Sequence, residues 1–288
     1  MKFFIKAKWF IFNFLSYIPV PIKFLSFVEI LSAMLQGKGW GSSTIKHEVS
    51  ACLSILKYTP KILIDIGAHK GTYTQEVRKK VHNIECHLFE PSTTNIKILN
   101  QKFLNDTDKV FINNFALSNK KTNATLFSNT PGSGIGSLTK RRLDHFKRLE
   151  SRGYDWKMNI EEQVNLIRFD EYWKNKDKLI DYVKIDVEGH ELDVLEGFGD
   201  LINKIKLIQF EFGGCNIDTR TFFQDFWYFF QEKNFLLYRI SPRGCRLIKF
   251  YTPSDENFMT SNYIACLLYT SDAADEGLGV DLGGRRII

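Results

Sequence analysis

Ile62-Leu63-Ile64-Asp65-Ile66-Gly67-Ala68-His69-Lys70-Gly71-Thr72-Tyr73-Thr74 decides the fold. A short apolar run ends on an acid, two glycines follow, and a helical pattern begins at Thr72. An α/β protein builds a ligand pocket this way at the carboxyl end of its first strand. The glycines lack a Cβ, so the backbone can approach a ligand closely. The spacing Gly-x-x-x-Gly does not match the dinucleotide pattern Gly-x-Gly-x-x-Gly, and no Gly-Lys-Ser/Thr phosphate loop follows. An acid just ahead of the turn would repel a pyrophosphate. It suits a ligand carrying an ammonium or sulfonium, which points to S-adenosylmethionine.

Outward from this turn, strands and helices alternate. Ile45–Tyr58 reads as helix, Ile62–Ile66 as strand and Thr72–Val81 as helix. Glu85–Glu90 is a second strand stopped by Pro91. Thr94–Leu104 is an amphipathic helix with Ile96, Leu99 and Phe103 on one face. Val110–Asn113 and Ala124–Ser128 follow as strands. The rhythm then breaks over Asn129–Lys157, with Pro131, Gly132, Gly134 and Gly136 ahead of the basic Lys140-Arg141-Arg142. An insertion of that length between core elements is usually functional or mobile. Gly132–Thr139 is expected to be a loop near the site and Arg142–Arg152 a helix. Regularity returns with a strand at Val164–Phe169, a helix at Asp170–Asn175, a strand at Tyr182–Ile185 and a helix at Leu192–Ile202. A strand at Ile205–Phe212 and an aromatic helix at Phe222–Glu232 follow. Phe235–Ile240 and Cys245–Tyr251 form a hairpin around Pro242-Arg243-Gly244, and Ser261–Ala265 is a last short strand. This alternation implies a mostly parallel, doubly wound sheet with helices on both faces.

In a parallel sheet all carboxyl ends lie on one edge. Asp65, Glu90, Asp186, Glu188 and Glu211 all fall at strand ends. Each alone could serve a helix start. Five together are more than folding needs, because buried acids are costly unless partnered. An acid one β-α-β unit after Asp65 is placed to hold two ribose hydroxyls, and Glu90 is that acid.

The chain has 288 residues, 44% of them hydrophobic and 25% charged, an ordinary globular composition. No zinc spacing, helix-turn-helix or aromatic-basic RNA strand is present, so nucleic acid is not an expected partner. The formal charge of +6 could meet anionic membrane or acidic glycans. Cys52, Cys86, Cys215, Cys245 and Cys266 are scattered without a Cys-x-x-Cys, which fits free thiols in a reducing cytoplasm.

Both ends stand apart. Met1–Thr44 is apolar and basic, with Lys2, Lys6, Lys8 and Lys23 around an uncharged run from Trp9 to Ile22 of 14 residues. That is short of the ~20 needed to cross a bilayer. It reads either as a helical cap on a domain spanning 45–265 or as an interfacial segment touching membrane through residues 1–40. A span or signal peptide is the remaining alternative. Residues 266–288 lack the Lys/Asn/Phe bias of the rest. They resemble the translation of a sequencing adapter, so the native frame is expected to end near Ala265.

The blocks Asp65–Thr74, Phe89-Glu90-Pro91, Asn114–Ser118, Lys184-Ile185-Asp186-Val187-Glu188-Gly189-His190-Glu191 and Leu195-Glu196-Gly197 together resemble the FkbM-type methyltransferases. The likeness runs from about Leu53 to Ala265. It implies a Rossmann-like class I fold, with a seven-stranded, mostly parallel sheet whose last strand is antiparallel. It also implies O-methylation of a hydroxyl on a sugar, glycolipid or polyketide-like acceptor. Implied cofactor-binding residues are Asp65, Gly67, Ala68, His69, Gly71, Thr74, Glu90, Pro91, Asn114, Ala116 and Asp186. Gly67, Ala68 and Gly71 would line the methionine portion, Glu90 the ribose, and Asn114 and Ala116 the adenine. His69 stands where the family often has Asn. A weakly acidic hydroxyl needs a base or a metal to take its proton. The candidates are Asp186, Glu188, His190 and Glu211, and their carboxylates would also suit Mg²⁺. The rival functions are a catalytically silent scaffold of the same fold and an oxidoreductase. The missing Gly-x-Gly-x-x-Gly speaks against the oxidoreductase.

Overall fold

The structure is a computed structural model that describes residues 19–41, 44–146, 156–176 and 178–268. The stretch read first forms the centre of the sheet. Strand β1 (Ile62–Ile66) is buried at every position, Asp65 included, as expected of a central strand covered on both faces. It lies between β2 (Glu85–Phe89) and β7 (Ile180–Ile185), parallel to both. Beyond β2 comes β3 (Val110–Asn113), and beyond β7 comes β8 (Ile205–Phe212), again parallel.

The far side departs from seven strands. The main sheet has eight, in the order β10-β9-β11-β8-β7-β1-β2-β3, where β9 is Phe235–Ser241, β10 Gly244–Leu247 and β11 Ser261–Leu267. The last strand inserts antiparallel between β8 and β9. The extra strand is the second arm of the hairpin. Gly244, at φ +107, reverses the chain and pairs back with Ser241, which extends the edge by β10. β11 runs through Cys266 and Leu267, past the expected end of the native frame. Residues 269–288 lie outside the described residues.

Two expected strands do not join this sheet. β4 (Ala116–Leu117), β5 (Thr122–Ser128) and β6 (Ile160–Ile167) form a separate three-stranded sheet around Leu126, Val164 and Leu166. Alternation of apolar and polar residues marks a strand but does not say which sheet it joins. The helix expected over Arg142–Arg152 is, in its described part, a 3₁₀ turn at Asp144–Phe146; the rest lies outside the described residues. The helix expected over Leu192–Ile202 breaks in two. α6 (Glu191–Glu196) stops at Gly197, and a 3₁₀ stretch begins at Gly199, whose φ of +51 does not continue an α-helix.

Helices α2 (Ile45–Leu56), α3 (Thr72–Lys80) and α4 (Thr93–Lys102) cover one face through Val49, Cys52, Tyr73, Val77 and Leu99. The other face is covered by α5 (Phe169–Trp173), α6 and α8 (Phe223–Glu232), through Phe169, Trp173, Leu195, Phe223, Phe226 and Phe230. Each buried Phe contributes about 1.5–3 kcal/mol relative to exposure. Much of the phenylalanine-rich composition is therefore spent on this face. α7 (Cys215–Thr219) follows β8. α1 (Ile22–Leu35) buries none of its residues, so its described part is not a cap packed on the domain. The cysteines are all free.

Candidate functional site

The carboxyl ends of β1, β2 and β7 meet at one point. Gly67 and Ala68 donate their backbone N–H groups to Phe89 O at 2.9 and 3.0 Å, and Asp186 donates its own to Ile66 O at 3.0 Å. The turn is so tightly held that a Cβ on Gly67, at φ +77, would sit 1.9 Å from Asp186 O. Only glycine fits there. Gly71, at φ +70, opens α3, and a Cβ on it would strike Leu99 and Phe103. Asp65 is buried on the α2/α3 side, where Thr74 Oγ1 donates to its Oδ2 at 2.5 Å. Burial pushes the Asp65 carboxyl up and nearby Lys184 pulls it back.

A cleft opens over this junction. It encloses about 720 Å³ of space when its open mouth is included. The floor is Gly67, His69, Glu90, Pro91 and Asp186; Ala116 and Leu126 of the small sheet and the loop Gly132–Leu138 form the roof. Glu90 ties floor to wall. Its Oε2 accepts the His69 backbone N–H at 2.8 Å, and its Oε1 accepts from Ser92 N at 3.0 Å and Asn95 Nδ2 at 3.2 Å. Burial raises its pKa against these bonds. Asn114 Nδ2 donates to the carbonyls of Glu90 and Pro91, fixing the backbone there. The His69 ring reaches the roof, with Nε2 2.9 Å from Gly132 O.

The far wall is the loop after β7. Glu188 and Gly189 both have positive φ, +55 and +106. Glu191 holds this uncommon backbone, accepting from Val187 N at 3.2 Å and Gly189 N at 3.1 Å with Oε1. The Asp-Val-Glu-Gly-His-Glu block is thus a loop fastened by its own last acid. Lys184, itself buried, places its Nζ 2.8 Å from Asp186 Oδ2. Arg141 Nη1 lies 2.7 Å from Glu188 Oε2, and its Nε lies 3.3 Å from Asp218. Asp186, Glu188 and Glu211 each bring a carboxylate oxygen within 4.8 Å of the others. Burial and mutual repulsion push Glu188 up to about 8 and Glu211 well above the usual range.

His190 stands at the same wall. Its Nδ1 is 2.9 Å from Asp193 Oδ2 and its Nε2 3.0 Å from Thr139 Oγ1. With the carboxylate accepting the Nδ1 proton, Nε2 faces the Thr139 hydroxyl as an acceptor.

Of the residues singled out in the sequence, Gly67, His69, Glu90, Pro91, Ala116, Asp186, Glu188 and His190 line the cleft. Asp65, Ala68, Gly71, Thr74 and Asn114 stand behind it as supports, and Glu211 joins the acid trio. Arg141, Ser137, Thr139, Lys184 and Asp193 were not assigned roles. Arg141 belongs to the basic Lys140-Arg141-Arg142 stretch and is paired with Glu188 and Asp218. Ser137 Oγ donates to Glu188 O at 2.7 Å. The links of Arg141 and Ser137 to Glu188 and of Thr139 to His190 cross about fifty residues and leave no local pattern, whereas Lys184 and Asp193 lie only two and three residues from Asp186 and His190.

The sequence model of the methyltransferase FkbM domain matches residues 65–237, more than half of the chain. The chain belongs to this family. It is an S-adenosylmethionine-dependent methyltransferase of Rossmann-like class I architecture. No curated protein matches its sequence. Among solved structures it is similar to precorrin-6y C5,15-methyltransferase from Geobacter metallireducens, at 9% identity and a TM-score of 0.36, over 76% of this chain and 87% of that one. It is also similar to the plantazolicin methyltransferase BpumL in complex with SAH, at 10% identity and a TM-score of 0.41, over 77% and 83%.

Proposed function

We propose that this FkbM methyltransferase transfers its methyl group to a hydroxyl oxygen of a sugar, glycolipid or polyketide-like acceptor. The observation that carries this reading is the Asp193–His190–Thr139 chain. A hydroxyl already lies at His190 Nε2 on the cleft wall, where an acceptor hydroxyl could take its place and give up its proton.

The residues fit the methyl donor. The glycine turn leaves backbone bare at Gly67, the buried Glu90 carboxylate suits a ribose diol, and the Asp186 carboxylate in the cleft suits a positive charge. Bound there, S-adenosylmethionine supplies a methyl carbon made electrophilic by its sulfonium. Gly67, Ala68 and Gly71 shape the methionine end, with Asp65 and Thr74 bracing the turn. His69 and Glu90 hold the ribose side, and Pro91, Asn114 and Ala116 border the adenine. Asp186 puts a carboxylate on the far wall, and Glu188 and Glu211, both raised by burial and mutual repulsion, stand beside it. Asp193 orients His190, and His190 takes the proton from the aligned acceptor.

The trio has the hard oxygen donors that Mg²⁺ prefers. Lys184 and Arg141 already bring a positive charge to Asp186 and Glu188. A divalent ion would have to displace them, so we read the trio as part of the cleft wall, not a cation cradle.

The test is methyl transfer from labelled S-adenosylmethionine to sugar and lipid-linked alcohols, with matched amines, in EDTA and with added Mg²⁺. Transfer to alcohols alone, indifferent to EDTA, is expected. Transfer to amines only would overturn the oxygen assignment, and recovery of lost activity by Mg²⁺ would restore the metal reading.

A further inference from the structure

Helix α1 has fourteen residues and none of them is buried. At 100° per residue, Phe24, Phe27, Val28, Ile30, Leu31, Met34 and Leu35 fall in one arc of about 160°. All seven are between 37 and 61% exposed. The opposite arc carries Ser26, Glu29, Ser32 and Ala33 together with Ile22 and Leu25 of the first turn, and Lys23 falls inside the apolar arc. A soluble helix turns such an arc toward the core, and this one does not.

The helix is nevertheless firmly seated at its end. Gly37, Gly39 and Gly41 approach Ile240 O, Met259 and Thr260 so closely that a Cβ at each would clash. Gly39 N donates to Ser261 Oγ at 3.0 Å, and Lys38 Nζ donates to Ser254 O. Thr260 also packs on Gly213, just past the end of β8, whose Glu211 belongs to the acid trio. The apolar helix is therefore fixed beside the sheet edge that carries the cleft.

We propose that this arc docks the protein on an anionic lipid bilayer. At about 1.5 Å per residue the helix is roughly 21 Å long, too short to cross the ~30 Å hydrocarbon layer. Among the described residues no helix is long and apolar enough to cross. An apolar arc with polar residues opposite is the form of a helix lying in the interface. Charge selects the occupant. Residues 1–35 hold Lys2, Lys6, Lys8 and Lys23 against Glu29 alone. Trp9, Tyr17 and five Phe occupy residues 1–18, the aromatic and basic mixture that suits headgroups. A second copy would bring like charges together, whereas an anionic surface neutralises them.

The full chain would be floated with phosphatidylcholine vesicles, with and without about 30 mol% phosphatidylglycerol. Binding to the anionic vesicles, weakened by salt and by omitting phosphatidylglycerol, is expected. The triple variant Phe24→Glu, Phe27→Glu, Leu31→Glu should lose it by about tenfold or more. Leu104→Glu, which alters an exposed apolar residue in the turn after α4, should keep it. S-adenosylhomocysteine titration of the triple variant should match the unaltered chain, showing that the fold and the cleft are intact. Failure of the unaltered chain to float, or equal flotation of the triple variant, overturns the proposal. So does a dimer in solution that the triple variant splits while neither protein floats. Neither the flotation nor its outcome depends on the methyl acceptor.

Discussion

The Glu90 carboxylate, at the end of β2, receives the backbone N–H of His69 in the turn after β1 at 2.8 Å. One side chain thereby joins the two strand ends that a nucleoside must bridge. The same carboxylate caps Ser92 N and Asn95 Nδ2 at the entry to α4. Glu90→Ala leaves three donors without their acceptor and removes the ribose partner. Hydrogen bonds to charged groups are worth about 1.5–3 kcal/mol each, so affinity for S-adenosylhomocysteine should fall by about a hundredfold or more in calorimetric titration. Glu90→Gln retains one acceptor and should lose less. Equal affinity of Glu90→Ala and the unaltered protein would remove Glu90 from the cofactor site.

Glycines in the cleft are not equivalent. Gly67→Ala puts a methyl 1.9 Å from Asp186 O at a positive φ and should destabilise the fold by at least ~3 kcal/mol. Gly134→Ala meets only the His69 ring, at 3.5 Å, and should change stability by less than ~1 kcal/mol. Urea denaturation of the two variants separates these outcomes.

The sequence was readable where structure is local. Ile62–Ile66 and Ile205–Phe212 are short segments rich in β-branched and aromatic residues, and their strand limits match the structure. The glycine turn and the acids at strand ends followed from the alternation alone. Membership of β5 and β6 in a separate sheet did not, because pairing of Thr122 with Leu166 spans a long insertion without a periodic signal. Arg141 looked like a free basic residue because Glu188 lies 47 positions away. The eighth strand was visible as a hairpin arm, but only the backbone of Gly244 shows that it returns to the same sheet. Likewise, apolarity marked Ile22–Leu35 without telling whether the domain covers it.

The acid trio should make cofactor affinity depend on pH. Glu188 is held up at about 8 by burial first and then by Asp186, with Arg141 pulling it down. Below that pH it is largely neutral, and above it adds a negative charge to the cleft wall. S-adenosylmethionine carries a sulfonium cation, whereas S-adenosylhomocysteine has a neutral thioether. The ratio of their affinities should therefore favour S-adenosylmethionine by about three- to tenfold as pH rises through about 8. In Arg141→Gln the downward pull is gone, so the change should move to higher pH. A ratio flat from pH 6 to about 10 would mean that Glu188 does not face the sulfonium.

His190 owes its orientation to Asp193, and Asp193→Asn should expose that dependence. An amide at this position can donate to Nδ1 and favour the tautomer with its proton on Nε2, which can no longer accept one from a hydroxyl. The turnover rate should fall by about a hundredfold, within the usual span for losing a positioned base. Affinity for S-adenosylhomocysteine should stay unchanged, because neither Asp193 nor its ring partner touches Glu90 or the glycine turn. Thr139→Ala makes the opposite test. It removes the hydroxyl that occupies Nε2 and leaves the imidazole in place, so turnover should hold or rise. If Thr139→Ala instead abolished turnover while Asp193→Asn retained it, the proton would have to leave by another route, with the Glu188 and Glu211 carboxylates the nearest alternatives.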